Sequence, residues 1–170
     1  DHRDLHSFPT RRSSDLGTPK IKKNNSVNLK YVFKVVKDIR KFIKKFKIII
    51  TKSTIPITTG DKIEKMISSK VKRKLFEVVS NPEFLREGEA IRDFKYPDRI
   101  VIGTDNKKVI KTLADLYAPI VKKRPIYFTT SRRGAELIKY ASNAFLATKI
   151  SYINERSEEH TSELQSRTNL

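Results

Sequence analysis

Apolar side chains recur along the central part of the chain in two distinct patterns. Between residues 28 and 45 they are spaced three or four positions apart, with lysines on the other faces, which predicts an amphipathic helix. The apolar positions of this helix are Val32, Val36, Ile39, Ile43 and Phe46. Residues 47–51 instead form a short continuous apolar run, which is typical of a strand buried on both faces of a parallel sheet.

Further strands and helices alternate along the chain. Additional strands are predicted at residues 76–80, 99–103 and 125–129. Further helices are predicted at 61–71, after Asn106 and at 131–155. Asn106 is suited to cap the helix whose apolar face consists of Val109, Ile110, Leu113, Leu116 and Tyr117. This alternation predicts an α/β fold with a parallel sheet.

Composition narrows the classes of protein that the chain can represent. Its 170 residues carry a formal charge of +18, which suggests an anionic partner such as a nucleic acid or a nucleotide. The lysines are spread along the chain, however, and this favours a lysine-rich surface over one binding tract. The chain has no cysteine and no apolar run of the ~20 residues that cross a bilayer, so we predict a cytoplasmic protein without disulfides.

The two ends of the chain differ in composition from its centre. All lysines lie between Lys20 and Lys149, whereas every histidine lies outside that range. Residues 6–16 and 156–166 resemble translated sequencing adapters. We therefore expect residues 1–16 and 156–170 to be non-native tails that do not pack on the core, although natural disordered tails are the alternative.

Polar segments follow the predicted strands at the positions where parallel α/β sheets bind ligands. Residues 52–54 follow the first strand and residues 81–88 follow the second, while residues 17–19 would follow a strand further upstream. Glu83 and Glu87, between Pro82 and Gly88, are two carboxylates that can divide acid–base work. Alternatively, they only decorate the N-terminus of a helix.

Lys139 and Asn143 are four residues apart and therefore share one face of the last predicted helix. Their neighbours on the helix are mostly apolar or small. Such a lysine and amide can stabilise a developing oxyanion. The alternative is a snorkelling lysine beside a surface amide.

The segments 51–56, 80–103 and 135–155 together resemble the UDP-glucose/GDP-mannose dehydrogenase family. Residues 97–99 and 143–151 look more like its UDP-glucose branch than its GDP-mannose or UDP-N-acetylmannosamine branches. The resemblance implies a parallel Rossmann-like sheet, with residues 17–130 forming part of an NAD-binding domain. Residues 131–155 would form a long helix that leads to a central, dimerising domain.

The same resemblance implies NAD-dependent oxidation of UDP-glucose to UDP-glucuronate by a full-length homo-oligomer. In the family, two hydrides leave in succession and a cysteine holds the intermediate as a thioester. The implied catalytic residues are Thr54, Glu83, Lys139 and Asn143. The implied NAD-binding residues are Thr18, Pro19, Ser53, Thr54, Ile55 and Glu87. The implied substrate-binding residues are Glu83, Phe84, Leu85, Arg86, Glu87, Lys139 and Asn143.

Two parts of that machinery are expected to lie outside residues 17–155. The glycine-rich dinucleotide turn would precede Gly17, and the nucleophilic cysteine would follow Glu155. Residues 17–155 are therefore expected to be inactive alone. We also predict that they bind no metal, nucleic acid or membrane. A basic nucleic-acid-binding module and a non-catalytic scaffold remain the alternatives, favoured by charge and by the long helix respectively.

Overall fold

A computed structural model describes residues 28–86, 88–122 and 125–167, with side chains to residue 157. Its strands are β1 (Lys47–Thr51), β2 (Phe76–Ser80), β3 (Arg99–Gly103) and β4 (Ile126–Thr130). Its α-helices are α1 (Lys30–Ile39), α2 (Thr59–Ser68), α3 (Ala90–Lys95), α4 (Lys107–Tyr117) and α5 (Arg132–Arg167). Short 3-10 turns occupy Arg40–Phe42 and Arg73–Leu75.

The four strands form one sheet in the order β1-β2-β3-β4. The pairs β1–β2 and β3–β4 are parallel over five residues each. These pairings and the flanking helices confirm the predicted Rossmann-like α/β fold. The exception is the β2–β3 pairing, which is antiparallel and is limited to Ser80 opposite Gly103.

Side chains rather than a backbone ladder connect β2 with β3 beyond that pair. The side-chain amide of Asn81 donates to the carbonyl of Val101 at 2.8 Å, and Thr104 Oγ1, directly after β3, donates to Glu77 Oε1 of β2 at 3.1 Å. The first turn of α5 comes so close to β3 that a Cβ on Gly103 would lie 2.6 Å from the Cβ of Ala135. A glycine at this position therefore allows α5 to begin directly against the sheet.

Helices cover both faces of the sheet. On one face, side chains from α1 and α2 pack against Phe76 and Val78 of β2. On the other face, Val109 and Leu113 of α4 pack with Val79. Val78 and Val79 are neighbours in β2, so their side chains point to opposite faces of the sheet. Burial on both faces explains why β2 is mostly apolar, whereas β4 remains largely exposed.

The helix boundaries correct several predictions. The helix predicted at 28–45 ends at Ile39, after which Arg40 donates to the carbonyl of Met66 and to Ser69 Oγ, both at 3.2 Å. The predicted cap is confirmed, because Asn106 Oδ1 accepts from the amides of Lys108 and Val109 at 3.1 and 3.3 Å.

The last helix is longer than the predicted 131–155, and α3 was not predicted. Helix α5 continues through residues 156–167, which were expected to form a separate tail. Residues 1–16 lie outside the described residues, so the packing of that tail stays a prediction. Within residues 28–86, 88–122 and 125–167, none of the helices combines the length and the apolar character needed to cross a membrane.

Candidate functional site

The carboxyl ends of β1 and β2 lie side by side, and a polar loop leaves each of them. Thr51, the last residue of β1, is paired with Ser80, the last residue of β2. The ladder continues one step further, because the amide of Asn81 donates to the carbonyl of Thr51 at 2.9 Å. The two strands are parallel, so residues 52–58 and residues 81–86 start from the same edge of the sheet. We call them the first loop and the second loop.

The first loop contains three of the residues predicted to bind the cofactor. Ser53 is exposed, Thr54 is half-buried and Ile55 is buried. The hydroxyls of Ser53 and Thr54 have no hydrogen-bond partner among the described residues, so they are available to a polar ligand. Thr18, Pro19 and Glu87, which were also predicted to bind the cofactor, lie outside the described residues.

A partly buried polar network holds the base of the second loop. The Asn81 side chain oxygen accepts from Tyr117 Oη at 2.5 Å and from Lys52 Nζ at 3.3 Å. Lys52 Nζ also donates to Tyr117 Oη at 3.0 Å. Because Asn81 donates its own amide to Val101, its hydrogen-bonding groups are engaged on three sides. The network ties the end of β2 to the end of β1, to β3 and to α4.

The tip of the second loop is held by an ion pair. Arg86 contacts Asp93 of α3 through Nη2 and Nε, at 2.7 and 3.1 Å, and through its backbone amide at 2.9 Å. These bonds to Arg86 lower the pKa of Asp93 to about 2. Arg86 was predicted to bind substrate; its guanidinium has Asp93 as a partner within the protein, and the substrate role stays a prediction.

Helix α5 brings Lys139 to the second loop. Lys139 Nζ lies 5.1 Å from the centre of the Phe84 ring, and the guanidinium carbon of Arg99 lies 5.0 Å from the same ring. Burial lowers the pKa of Lys139, while the negative charge of Glu83 opposes this shift. Lys139 therefore lies at the same end of the sheet as Glu83 and Phe84.

The structure does not bring every predicted site residue together. Asn143 lies one turn beyond Lys139 on α5 and is exposed, with no hydrogen bond to a described residue. Glu87 is outside the described residues. The roles predicted for Thr54, Glu83, Lys139 and Asn143 thus stay predictions.

A cavity of about 430 Å³ lies behind the second loop. It is lined by the loop itself and by Lys52, Tyr96, Arg99 and Tyr117, among others. Neither Lys139 nor Thr54 lines it. Glu83 and Phe84 of the second loop do line it, and the Phe84 ring is the one that Lys139 contacts.

Sequence reasoning missed one buried carboxylate next to this site. Glu136, on α5, is only 2% exposed and accepts hydrogen bonds from the amides of Thr58 and Gly60. Burial raises its pKa, and the bonds from these two amides partly oppose that shift. The only signal in the sequence is a glutamate placed one turn before Lys139, between Ala135 and Leu137.

Comparisons with known proteins match the models of two domains of one family. The model of the NAD-binding domain of the UDP-glucose/GDP-mannose dehydrogenase family matches residues 15–121. The model of the central domain of that family matches residues 133–161.

Individual relatives give the same result. The UDP-glucose 6-dehydrogenase of Rhizobium meliloti (strain 1021) is 46% identical over 143 residues, which are 82% of this chain and 32% of that protein. UDP-glucose 6-dehydrogenase YwqF of Bacillus subtilis (strain 168) is 48% identical over 141 residues, which are 82% of this chain and 31% of that protein. The chain thus spans about a third of the length of the curated relatives it matches.

Solved structures extend the likeness to the fold. A UDP-glucose dehydrogenase from Pyrobaculum islandicum superimposes with a TM-score of 0.75 and 38% identity, covering 82% of this chain and 32% of that one. A ternary complex of GDP-mannose dehydrogenase from Pseudomonas aeruginosa superimposes with a TM-score of 0.74 and 30% identity, covering 83% of this chain and 33% of that one.

Proposed function

Because the chain belongs to the UDP-glucose/GDP-mannose dehydrogenase family, we propose that it is part of an NAD-dependent enzyme that oxidises UDP-glucose to UDP-glucuronate. The observation that carries the proposal is the position of Lys139 against the second loop, at the carboxyl ends of β1 and β2. Ligands of open α/β sheets bind at this edge. The identities of 46% and 48% to UDP-glucose 6-dehydrogenases favour UDP-glucose among the family's substrates.

The first loop fits part of an NAD site. Ser53 and Thr54 offer hydroxyls that are not engaged with other described residues, next to the apolar side chain of Ile55. We propose that these three residues contact the cofactor, together with Thr18, Pro19 and Glu87. NAD, when bound, supplies the hydride acceptor for the oxidation.

The second loop and α5 provide groups for the substrate. We propose that Lys139 and Asn143 donate to the oxygen on the reacting carbon, where negative charge develops. Glu83 is exposed and attracts the charge of Lys139, and we propose that it moves a proton or orients water together with Thr54. Phe84, Leu85, Arg86 and Glu87 complete the proposed substrate loop.

We further propose that residues 17–130 are part of the NAD-binding domain and that residues 131–155 lead into a central domain. Residues 156–170 and 1–16 are proposed to be foreign to both. The apolar side chains of α5 support the second domain, since Phe145 is 72% exposed and Leu146 is 57% exposed. Apolar surface of this kind is usually covered in a complete protein, and we propose that further chain and a second subunit cover it.

The experiment is an assay of the full-length protein that contains residues 17–155. UDP-glucose, GDP-mannose and UDP-N-acetylmannosamine are each supplied with NAD, and NADH formation is followed by absorbance. We expect the highest kcat/KM for UDP-glucose and two NADH for each sugar, because a primary alcohol becomes a carboxylate. Preferential turnover of either other sugar would refute the assignment of substrate.

A binding measurement addresses the alternative based on charge. A nucleic-acid-binding module would bind random DNA with an affinity that falls steeply as salt rises. We expect UDP-glucose to bind at physiological salt and random DNA to bind weakly or not at all. Tight, salt-sensitive DNA binding without nucleotide-sugar oxidation would favour the alternative.

A further inference from the structure

We propose that Glu136 is a positioning residue whose carboxylate holds the first loop at a fixed distance from Lys139. This inference rests on the proposed dehydrogenase function. Glu136 does not contact the reacting atoms in the proposal. It acts through the two elements that it joins, the start of α2 and the second turn of α5.

The contact consists of two short hydrogen bonds to backbone amides. The amide of Thr58 donates to Glu136 Oε2 at 2.7 Å, and the amide of Gly60 donates to Oε1 at 2.7 Å. Both amides lie at the N-terminus of α2, where backbone N–H groups lack partners within the helix. A carboxylate satisfies both amides because both of its oxygens accept, and such charge-assisted bonds are strong.

The backbone at this point is arranged around the carboxylate. Thr58 has a φ of 74°, an uncommon conformation for a β-branched residue. A Cβ on Gly60 would lie 2.9 Å from Glu136 Oε1 and 2.5 Å from Cδ of Arg132, so a larger residue here would displace these side chains. Sparsely populated backbone conformations persist where the surroundings determine them, and they concentrate at functional sites.

The same carboxylate links the two halves of the proposed site. Thr54 lies four residues before Thr58, in the half of the first loop that follows β1. Lys139 lies one turn after Glu136 on α5 and contacts the ring of Phe84. A shift of α2 relative to α5 would therefore change the separation between Thr54 and Lys139. Misplacement of reacting groups by about 1 Å can reduce rates about 100-fold.

Other contacts allow the role of Glu136 to be separated from general docking of the helix. Arg132 pairs with Asp61 and Glu64 of α2, each at 2.5 Å. These ion pairs remain when Glu136 is changed, so a Glu136→Gln variant is expected to keep α5 attached to α2. Glu64→Gln makes the same chemical change at a carboxylate that joins α2 to α5 without contacting a backbone amide, and it is the matched control.

The test measures kinetics and hydrogen exchange in the full-length protein with UDP-glucose and NAD. In Glu136→Gln one acceptor oxygen is replaced by an NH2 group, which faces a backbone N–H. We expect kcat to fall about 10- to 100-fold and KM for UDP-glucose to change less than about threefold. Exchange at the Thr58 and Gly60 amides should become faster in Glu136→Gln and should remain slow in Glu64→Gln, whose kcat should remain near that of the wild type.

Several outcomes would overturn the inference. Unchanged kcat in Glu136→Gln would do so, as would an equal loss in Glu64→Gln. If Glu136→Gln does not fold, Glu136→Asp is tested in its place. The shorter aspartate side chain should reach only one of the two amides and should lower kcat. A wild-type kcat in Glu136→Asp would also overturn the inference. A wild-type protein that oxidises no nucleotide sugar refutes the proposed function, whereas unchanged amide exchange in the Glu136 variants refutes the positioning role alone.

Discussion

Replacing Lys139 by alanine separates two roles that the structure allows for this lysine. Lys139 Nζ lies 5.1 Å from the Phe84 ring, so it can anchor the second loop through a cation–π contact. It is also half-buried near Glu83, where a positive charge can stabilise an oxyanion. The two roles predict effects of different size on different kinetic constants.

The cation–π contact accounts for only a small effect. Such contacts contribute about 0.5–1 kcal/mol at exposed sites and about 2 kcal/mol when desolvated. For a half-buried pair we take about 1 kcal/mol, which corresponds to about fivefold in affinity. Loss of the contact would loosen the substrate loop, and it would appear mainly as a higher KM.

The oxyanion role predicts a larger effect on turnover. Removal of one donor to a developing oxyanion lowers kcat about 100- to 1,000-fold, or about 2.7–4 kcal/mol. We expect Lys139→Ala to lower kcat by this amount and to change KM much less. Steady-state NADH formation by the full-length protein measures both constants.

Arg99 provides a matched control for the ring contact. Its guanidinium carbon lies 5.0 Å from the same Phe84 ring, but Arg99 belongs to β3 and not to α5. Arg99→Ala should therefore reproduce the loss of loop anchoring without the loss of turnover. A kcat in Lys139→Ala that is within about fivefold of the wild type, or equal to that of Arg99→Ala, would refute the oxyanion role.

Three further predictions concern other parts of the molecule. The isolated 170-residue chain should form no NADH from UDP-glucose, because the glycine-rich turn that grips the cofactor is expected outside residues 17–155; NADH formation would contradict this. Arg86 depresses the folded-state pKa of Asp93 from 3.8 to about 2. This pair therefore stabilises the fold above pH 3.8, and its contribution is lost as the pH falls through about 2. A carbon NMR titration should show the low pKa of Asp93, and Arg86→Ala should return it toward 3.8. Gly103→Ala should lower the thermal midpoint, at a cost of about 1–3 kcal/mol, because the new Cβ would lie 2.6 Å from the Cβ of Ala135, and an unchanged midpoint would count against that close approach.

The pattern of apolar residues predicted most of the sheet because that pattern is local. The runs at β2 and β3 are largely buried by the helices packed on the sheet, whereas β4 is an apolar run that stays mostly exposed. The Asn106 cap was also predictable, since its partners lie two and three residues away. Alternation of elements could not reveal the antiparallel contact of Ser80 with Gly103, because that contact depends on how α5 and Asn81 fill the space between β2 and β3.

The proposed chemical residues were found in the sequence through resemblance, whereas their supports were not. Glu136 bonds to residues 76 and 78 positions away, and Tyr117 bonds to Asn81 across 36 positions. Spacing along the chain carries no information about such pairs. For Arg86 the sequence suggested a role but not a partner. Its place in the motif suggested substrate binding, whereas its contact with Asp93 is visible only in the structure.

The proposed site thus consists of exposed or half-buried groups on two loops and on α5, and buried polar side chains fix the positions of these elements. Glu83 is exposed and Lys139 is half-buried, but Asn81 and Glu136, which fix the elements that carry them, are each only 2% exposed. A buried polar group that loses its partner costs about 1–3 kcal/mol, so these supports tolerate substitution less than their distance from the chemistry suggests. Substitutions at Asn81 or Glu136 should therefore alter turnover through geometry, whereas substitutions at Lys139 should alter it through charge.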